Sequence, residues 1–381
     1  MNSEAVPFPF VPAAPDWSVE WERIVERFAW VRTMAGVPQD ARHHAEGDVL
    51  VHTRMVVDVL AEQTAWRTAP DGERVALFAA ALLHDVAKPV CTQIDADGTI
   101  TSRNHARRGE LLARRILYEG IGLDAPVPFT LREQIAKPVR YHGLPLWFFE
   151  KPDPVRAVIE ASQTASLRAV VLLAEADVRG RMCDDQTVLL DRIAYFREFC
   201  IENRCWEGAR DLPSDHSRFL YFAGRHANPD YAAYDDTVCE VVLMAGIPGA
   251  GKDTWIARNL PDWPVVSLDA IRADLGVRPT EEQGHVIQEA KERARALLRK
   301  EQSFVWNATN ITRMMRRQLI DLFASYRARI RIVYIEVPFA TLLMRNQARA
   351  AGLPENALER LIGKLEVPDR TEAHDVAYVI E

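Results

Sequence analysis

The spacing of apolar residues divides the chain into a helical first part and an alternating second part. From Trp17 to about Arg210, apolar residues recur three and four positions apart, as on one face of an α-helix. Proline and glycine separate these segments. The pattern predicts helices over Trp21–Trp30, Val49–Trp66, Val75–Val86, Gly109–Tyr118, Leu131–His142, Val155–Ala161, Ala169–Gly180 and Thr187–Ile201. Residues 17–210 are therefore expected to form an all-helical domain.

From residue 237 onward, short apolar runs alternate with amphipathic segments. Strands that alternate with helices predict an α/β domain with a mostly parallel sheet, here over residues 237–381. Residues 1–16 are rich in proline and are expected to form an extended arm. Residues 211–236 are rich in Pro, Asp and aromatic side chains, and we expect a packed connector in which Tyr231 and Tyr234 serve packing rather than base stacking.

A glycine-rich turn follows the first apolar run of the second part. Gly246, Gly249 and Gly251 allow the backbone to point successive N–H groups, including that of Ala250, at phosphate oxygens. The helix that follows would add its positive N-terminal end, and Lys252 would reach the β- and γ-phosphates. A strand, a G-x-x-x-x-G-K turn and a helix in this order predict a P-loop that binds ATP or another nucleoside triphosphate.

The residue after the P-loop lysine departs from the usual pattern. Asp253 stands where serine or threonine normally binds Mg²⁺, and Thr254 follows it. The sequence leaves the Mg²⁺ ligand open between Asp253, Thr254 and water.

Polar residues follow two later strands of the second part. Asp269 comes after the run Val265–Leu268, and Arg272 follows three residues later. Ligands of open α/β sheets bind at the carboxyl ends of strands, so a carboxylate there can accept a proton from an attacking hydroxyl. The alternative is a helix N-cap. Asn307, Thr309 and Asn310 are expected near the phosphates at another strand end.

Arginines near the end of the chain suggest a lid. Arg345 and Arg349 are four residues apart and share a helix face, from which they would neutralise the transferred phosphoryl group. Arg313, Arg316 and Arg317 open an earlier helix, and most of them are expected to be solvated.

These features resemble the polynucleotide kinase branch of P-loop phosphotransferases. The resemblance rests on GIPGAGKDTW, the Asp-x-x-Arg of Asp269 and Arg272, NATN, RNQAR and the K-x-E-x-P stretch at 364–368, and it covers residues 238–381. It implies a kinase that uses ATP with Mg²⁺. Asp269 would be the general base toward a 5′-hydroxyl, and Arg272 would bind the phosphate of the acceptor.

Histidines and carboxylates in the helical part form a candidate metal site. His84 and Asp85 are adjacent at the polar end of an apolar helix, His52 begins another helix, and Asp177 lies on a third. Imidazole nitrogen and carboxylate oxygen together suit divalent transition metals. The neighbouring pair at 43–44 is expected to be capped or to face solvent.

The order His, His-Asp, Asp resembles that of HD phosphohydrolases. LLHDVAKP, a probable hairpin insertion, HARRGELLARRIL and YHGLPLW are similar to the HD domains attached to tRNA nucleotidyltransferases, over residues 45–182. The resemblance implies one metal held by His52, His84, Asp85 and Asp177, and a second to which His105 and His142 contribute. The metals would be Mn²⁺, Ni²⁺, Co²⁺ or Fe²⁺. Lys88 would face the same pocket and contact a substrate phosphate.

The composition indicates which membrane, secretory and disulfide features to expect. The chain has 381 residues, 48% of them hydrophobic, and lacks any apolar run of 18 residues. We expect no membrane partner and no secretory signal. The five cysteines are odd in number, which favours reduced thiols in the cytoplasm over a zinc site at Cys200 and Cys205.

An HD domain followed by a P-loop kinase domain resembles the bacterial HD-Pnk end-healing enzymes. That family implies phosphorylation of 5′-OH ends of DNA or RNA and removal of 2′,3′-cyclic, 2′- or 3′-phosphates. The absence of a K-x-D-G sequence implies a separate ligase as partner. Two alternatives remain: a nucleoside or sugar kinase fused to a nucleotide phosphohydrolase, and a kinase regulated by a ligand-sensing HD module.

Overall fold

The computed structural model describes residues 8–278, 281–348 and 352–381. The chain divides into two compact units, of which the first ends at Arg210 and the second begins at Asp211. Each unit is described by itself.

The first unit is helical apart from a short hairpin. Its helices are α1 Trp21–Arg27, α2 Ala29–Arg32, α3 Val49–Glu62, α4 Thr64–Arg67, α5 Asp71–Leu83, α6 Lys88–Cys91, α7 His105–Glu119, α8 Phe129–Tyr141, α9 Leu144–Trp147, α10 Pro154–Ser162, α11 Leu167–Arg179 and α12 Gln186–Glu202. Strands β1 (Gln93–Ile94) and β2 (Ile100–Thr101) pair antiparallel as the predicted hairpin. A 3₁₀ turn, Phe148–Glu150, follows α9.

Two predicted helices are each divided in the structure. The first breaks at Phe28, whose backbone is extended and whose buried ring stacks on Trp30 with centroids 4.7 Å apart. The second breaks at Gln63, which is also extended and whose side-chain amide donates to the carbonyl of Leu172. Tertiary packing overrides the periodic pattern at both sites.

Residues 8–16, the described part of the expected extended arm, depart from that expectation. Their backbone forms turns. Phe8 is fully buried, and its ring packs against Phe28 with centroids 5.8 Å apart. Burying a phenylalanine contributes about 1.5–3 kcal/mol, which accounts for the docking of this segment on the helical core.

The second unit contains, within its described residues, a parallel sheet of five strands in the order β4-β5-β3-β6-β7. The strands are β3 Cys239–Ala245, β4 Val265–Ser267, β5 Phe304–Asn307, β6 Ala328–Glu336 and β7 Asp375–Ile380. The helices are α13 Asp215–Phe222, α14 Lys252–Asn259, α15 Leu268–Leu275, α16 Gly284–Leu298, α17 Arg313–Ala324, α18 Phe339–Ala348 and α19 Glu355–Ile362. β3 is central and almost entirely buried, as expected for a strand covered on both faces.

The predicted connector contains helix α13, which packs into the second unit. Arg218 donates to the carbonyls of Arg370 and His374. The packing expected for the two tyrosines is wrong for Tyr234, which is 86% exposed, whereas Tyr231 is half exposed with its ring against His226. α13 packs against the segment that precedes β7, where the ring of Phe219 stacks on that of His374, and the chain beyond α13 lies at the surface.

A buried arginine supports the helix that follows β5. Arg316 is fully buried, and its Nε and Nη2 contact the Glu372 carboxylate at 2.7 and 2.8 Å. It also donates to the carbonyls of Asn310 and Glu366. The expectation of solvation is therefore wrong for Arg316, because several acceptors enclose its guanidinium, while the side chain of Arg317 is 80% exposed.

Among the described helices, none by itself has the length and apolarity to cross a membrane; α10 and α11, bent by 108° at their junction, meet that test only as a pair. All five cysteines are free thiols.

Candidate functional site

Four residues of the predicted metal site converge in the first unit. His52 lies in the first turn of α3, His84 and Asp85 follow α5, and Asp177 lies near the end of α11. His52 Nε2 is 3.1 Å from Asp177 Oδ1 and 3.9 Å from Asp85 Oδ2, and His84 Nε2 is 3.1 Å from Asp85 Oδ2. All four side chains are at least 98% buried. The three helices thus bring together residues up to 125 positions apart.

The two further histidines join the same cluster. His105 begins α7 and His142 follows α8. Their Nε2 atoms are 3.2 Å apart, and His105 Nε2 is 3.5 Å from Asp85 Oδ1. Asp85 therefore lies between the two groups of histidines, with one oxygen toward each.

Backbone carbonyls fix the orientation of three imidazoles. The Nδ1 atoms of His84, His105 and His142 are each within 2.9 Å of a carbonyl three residues earlier, those of Ala81, Ser102 and Val139. A carbonyl accepts only, so each neutral ring carries its proton on Nδ1 and presents an Nε2 lone pair to the cluster. This outer support is typical of histidines that bind metals.

Several lone pairs in this cluster face no proton donor. The Nε2 atoms of His105 and His142 face one another as two acceptors. His84 Nε2 and Asp85 Oδ1 are buried and, within the described residues, make no hydrogen bond. Buried acceptors without donors are costly, and a divalent cation would satisfy them. Donor atoms of His52, His84 and Asp85, and likewise of Asp85, His105 and His142, lie within 4.8 Å of one another, so the residues fit a metal site.

The electrostatics of the cluster favour ionised carboxylates, and burial lowers the pKa of His105 and His142 so that these rings are neutral. At His84 burial would also lower the pKa, but the charge of Asp85 outweighs it and the pKa is raised. Burial alone would raise the pKa of Asp85, but the charges of His84 and Lys88 outweigh it and hold that pKa well below its usual range. Burial alone would also raise the pKa of Asp177. The charge of Arg181 and the hydrogen bond from His52 outweigh it, and the pKa of Asp177 lies well below its usual range. Burial lowers the pKa of His142 to about 3. Anionic oxygen and neutral imidazole nitrogen are the forms that bind metals.

Lys88 lies in the same cavity, as the sequence predicted. Its Nζ is 2.7 Å from Asp85 Oδ2 and donates to Gln39 Oε1 at 2.6 Å. The residue is only 8% exposed. Its ammonium neutralises part of the charge of the Asp85 carboxylate.

Glu46 is a supporting residue that the sequence analysis missed. Its Oε1 is 2.9 Å from His52 Nδ1 and 2.8 Å from His44 Nδ1, and its Oε2 accepts from the Met182 N–H. His44 does not face solvent as predicted: its side chain is 11% exposed, and burial lowers its pKa to about 4. The position of Glu46, two residues after the adjacent histidines His43 and His44, is the sequence feature that could have identified it.

Arg181 is a second residue that the sequence analysis missed. It binds both oxygens of Asp177, with Nε–Oδ1 of 3.0 Å and Nη2–Oδ2 of 2.6 Å. The i, i+4 spacing of Asp177 and Arg181 at a helix end could have identified the pair.

Four members of the cluster, Asp85, His105, His142 and Asp177, line a cavity of about 630 Å³. Its walls include Arg140, Leu144, Trp147 and Lys151. This volume is within the range of small-molecule and cofactor sites, roughly 300–1,000 Å³.

The P-loop of the second unit connects β3 to α14. Gly246 has φ of +145°, and a Cβ there would lie 2.4 Å from the carbonyl oxygen of Ile335, so only glycine fits. Gly251 has φ of +102° at the N-cap of α14. Lys252 Nζ donates to the carbonyls of Gly246 and Ile247 at 2.8 and 3.1 Å. The lysine thus curls back over its own loop, where the phosphates of a nucleotide would bind.

Asp253 is held from the neighbouring strand. Its Oδ1 accepts from Asn307 Nδ2 at 2.6 Å, and Asn307 ends β5. Thr254 is exposed on α14. Asn310, further along the same segment, donates to the carbonyl of Met244 at 2.7 Å, so this segment supports the P-loop from beneath.

Asp269 lies on a helix and not at the end of a strand. β4 ends at Ser267, and Ser267 rather than Asp269 caps α15, because its hydroxyl accepts from the N–H of Ala270. Asp269 is in the first turn with its side chain 74% exposed, and it pairs with Arg272. Arg272 also contacts Gln283 Oε1, and burial lowers its pKa.

Arg345 lies beside the P-loop, on α18. A Cβ placed on Gly251 would be 3.7 Å from its Nη1. Arg345 Nη2 contacts both oxygens of Glu381, at 3.0 and 2.7 Å. The predicted partner in the lid, Arg349, lies outside the described residues.

Comparison with known proteins shows what each part is similar to. The AAA domain family matches residues 241–368. The chain is 33% identical over 162 residues to the Multifunctional CCA protein of Methylococcus capsulatus (strain ATCC 33009 / NCIMB 11132 / Bath), over 40% of this chain and 34% of the relative. The chain therefore spans about a third of the length of that curated relative.

Two solved structures are similar to part of the chain. One is a candidate kinase from Chloroflexus aurantiacus J-10-fl, with 18% identity, a TM-score of 0.33, and coverage of 38% of this chain and 86% of that one. The other is a sugar kinase from Janibacter sp. HTCC2649, with 17% identity, a TM-score of 0.29, and coverage of 37% and 85%.

The family match and the P-loop geometry agree on the second unit. It is a P-loop, kinase-like domain with a parallel sheet, and it follows a helical region. Such a domain binds a nucleotide with Mg²⁺ and is typical of phosphotransferases.

Proposed function

We propose that this chain is a bifunctional enzyme that heals the ends of broken nucleic acid. The second unit phosphorylates 5′-OH ends with ATP, and the first unit removes 2′,3′-cyclic, 2′- or 3′-phosphates. The observation that carries the proposal is the presence, in one chain, of a P-loop and of a cluster of four histidines and two aspartates, in which the buried His84 Nε2 and Asp85 Oδ1 make no hydrogen bond within the described residues.

The cluster supports the phosphatase part of the proposal. His52, His84, Asp85 and Asp177 would hold one divalent transition metal, and Asp85, His105 and His142 a second. Such metals lower the pKa of a bound water and bind phosphate oxygens. Glu46 and Arg181 orient His52 and Asp177. Lys88, 2.7 Å from Asp85, stabilises negative charge on the substrate phosphate.

The second unit supports the kinase part. Lys252 leaves the carbonyls that it now contacts and binds the β- and γ-phosphates of ATP. Asp269 accepts the proton of the attacking 5′-hydroxyl, and Arg272 binds a phosphate of the acceptor. Because Asp269 and Arg272 pair with each other, acceptor binding must separate them. Arg345, beside Gly251, neutralises charge on the transferred phosphoryl group.

The two proposed activities indicate which substrates the chain acts on and which enzyme acts next. Their products are a 5′-phosphate and a 3′-hydroxyl, which are the ends that a ligase joins, so a separate ligase would act next. DNA or RNA ends are the substrates, and no membrane partner is proposed.

The test uses one oligoribonucleotide with a 5′-hydroxyl and a 2′,3′-cyclic phosphate. Incubation with Mg-ATP and Mn²⁺, Ni²⁺ or Co²⁺ is expected to give a 5′-phosphate and a 3′-hydroxyl, measured by mass spectrometry. An unchanged 5′ end would overturn the kinase part, and an unchanged 3′ end with every metal would overturn the phosphatase part.

A further inference from the structure

Trp147 is an exposed aromatic residue on the wall of the cavity above the histidine–aspartate cluster. It ends α9 and is 41% exposed, although tryptophan is the largest apolar side chain. The Arg192 guanidinium lies over its ring, with Cζ 4.8 Å from the centroid, and Arg192 Nη1 donates to the carbonyl of Leu146. The ring is therefore held in place from the α12 side before any ligand binds.

The charges of the residues that line the cavity are mixed in sign, so they do not by themselves favour binding of a polyanion. Lys88, Arg140, Lys151 and Arg181 line the cavity, but so do Asp40, Glu160 and Asp185, besides Asp85 and Asp177. Lys88 and Arg181 are already paired with the two cluster aspartates. A phosphate end would thus be held mainly at the cluster, and the remainder of the ligand needs recognition of another kind.

The apolar part of the wall supplies that recognition. Leu144, Leu146 and Leu189 line the cavity together with Trp147, and the cavity of about 630 Å³ has room for a nucleotide. Base stacking on an aromatic ring is tolerant of sequence, because every base has a π-face. Resting on the proposed function, we infer that Trp147 binds the terminal nucleoside of the phosphate end by stacking on its base, while the phosphate faces the cluster.

The test measures binding and does not depend on turnover. A 5′-phosphorylated trinucleotide that ends in adenosine with a 3′-hydroxyl is titrated calorimetrically into the full chain with Mn²⁺. Its matched partner ends in an abasic ribose. Adenosine alone is the third ligand, because it reports whether a free nucleoside suffices without the polynucleotide.

Trp147→Ala is expected to weaken binding of the adenosine-ended trinucleotide by roughly fivefold to a hundredfold, the range of base–aromatic stacking. Binding of the abasic partner stays unchanged. Trp147→Leu keeps apolar volume without a π-face and is expected to show the same selective loss. Tyr195→Ala removes an aromatic residue that is 66% exposed on α12 outside the cavity wall, and it is the matched control.

Equal effects of Trp147→Ala and Trp147→Leu on the adenosine-ended and abasic ligands, or no effect on either, would overturn the inference. A selective loss for adenosine but not for the trinucleotide would overturn the inference for a polynucleotide end and make a free nucleoside the ligand. If the wild type binds the base selectively yet hydrolyses no phosphate end, the proposed function fails and the stacking site stands.

Discussion

The cluster in the first unit and the P-loop in the second position functional groups by opposite means. The cluster uses buried side chains from five helix ends, far apart in sequence, each fixed by an outer hydrogen bond. The P-loop uses consecutive residues whose backbone curls between a strand and a helix. One site depends on the tertiary packing of its unit, and the other on local backbone geometry.

The two sites also differ in how far their side chains must move before a ligand can bind. The cluster residues are held with lone pairs converged, whereas Lys252, Arg272 and Arg345 each contact a group that a substrate must replace. Metal binding in the first unit should therefore require little movement of the histidines, while Lys88 and Arg181, which pair with Asp85 and Asp177, must make room for the ion. Nucleotide and acceptor binding should reorganise side chains in the second.

The largest expected effect comes from removing the central group of each site. Asp85→Ala should lower phosphatase activity more than about 100-fold, beyond the loss caused by an outer supporting residue, and leave the kinase unchanged. Lys252→Ala should lower kinase activity by roughly 100- to 1,000-fold, as for other preorganised donors, and leave the phosphatase unchanged. Both activities are measured on the same preparations.

Matched controls for these variants are Asp124→Ala, at a side chain 88% exposed, and Lys300→Ala, at an exposed lysine. Neither should change either activity. Loss of both activities in Asp85→Ala or in Lys252→Ala would contradict independent sites.

The second-largest expected effect is a loss of stability that is confined to the second unit. Glu372→Ala leaves the fully buried Arg316 without its carboxylate partner, which should lower the free energy of unfolding of the second unit by about 3–5 kcal/mol. Urea denaturation followed by kinase and phosphatase activity would locate the loss. The control Arg317→Ala, at the next residue, should change the free energy by less than about 0.5 kcal/mol.

If Glu372→Ala destabilised both activities at the same urea concentration, the two units would not unfold separately, and the comparison between them would lose its basis.

A third and smaller effect concerns the outer support of the cluster. Glu46→Ala removes the carboxylate beside Nδ1 of His52 and His44 and should weaken Mn²⁺ binding by about 10- to 100-fold, measured by calorimetry. Glu22→Ala, at a side chain 82% exposed, is the control. Equal Mn²⁺ affinity in Glu46→Ala and wild type would show that His52 needs no outer partner.

The smallest effect concerns the unusual residue of the P-loop. Asn307→Ala removes the hydrogen bond that holds Asp253 and should weaken Mg-ATP binding by about 2- to 12-fold, the value of one hydrogen bond of 0.5–1.5 kcal/mol. Fluorescence titration with a labelled ATP analogue measures this change. Unchanged or tighter binding would mean that Asp253 has no part in holding Mg²⁺.

The two sites were not equally predictable from sequence. Gly246 to Thr254 are contiguous, so their order alone identifies strand, turn and helix. The order of His52, His84, Asp85 and Asp177 was visible as a resemblance, whereas their outer partners left only local signals. Glu46 follows the histidine pair by two residues and Arg181 follows Asp177 by four, but neither spacing alone shows which side chains meet.

The predictions from sequence patterns were wrong where tertiary packing determines the structure. Arg316 has the same sequence surroundings as the exposed Arg317, and only the fold brings Glu372 and two carbonyls to it. Phe28 interrupts a periodic helix because its ring is buried between Phe8 and Trp30. Such outcomes depend on contacts between distant segments, which periodicity does not contain.

The most direct measurement is transfer of labelled phosphate from ATP in a mixture of a 5′-OH oligoribonucleotide, a free nucleoside and a sugar. The account predicts that wild-type protein labels the oligonucleotide and that Lys252→Ala labels none of the three. Label on the nucleoside or the sugar, with none on the oligonucleotide, would contradict it.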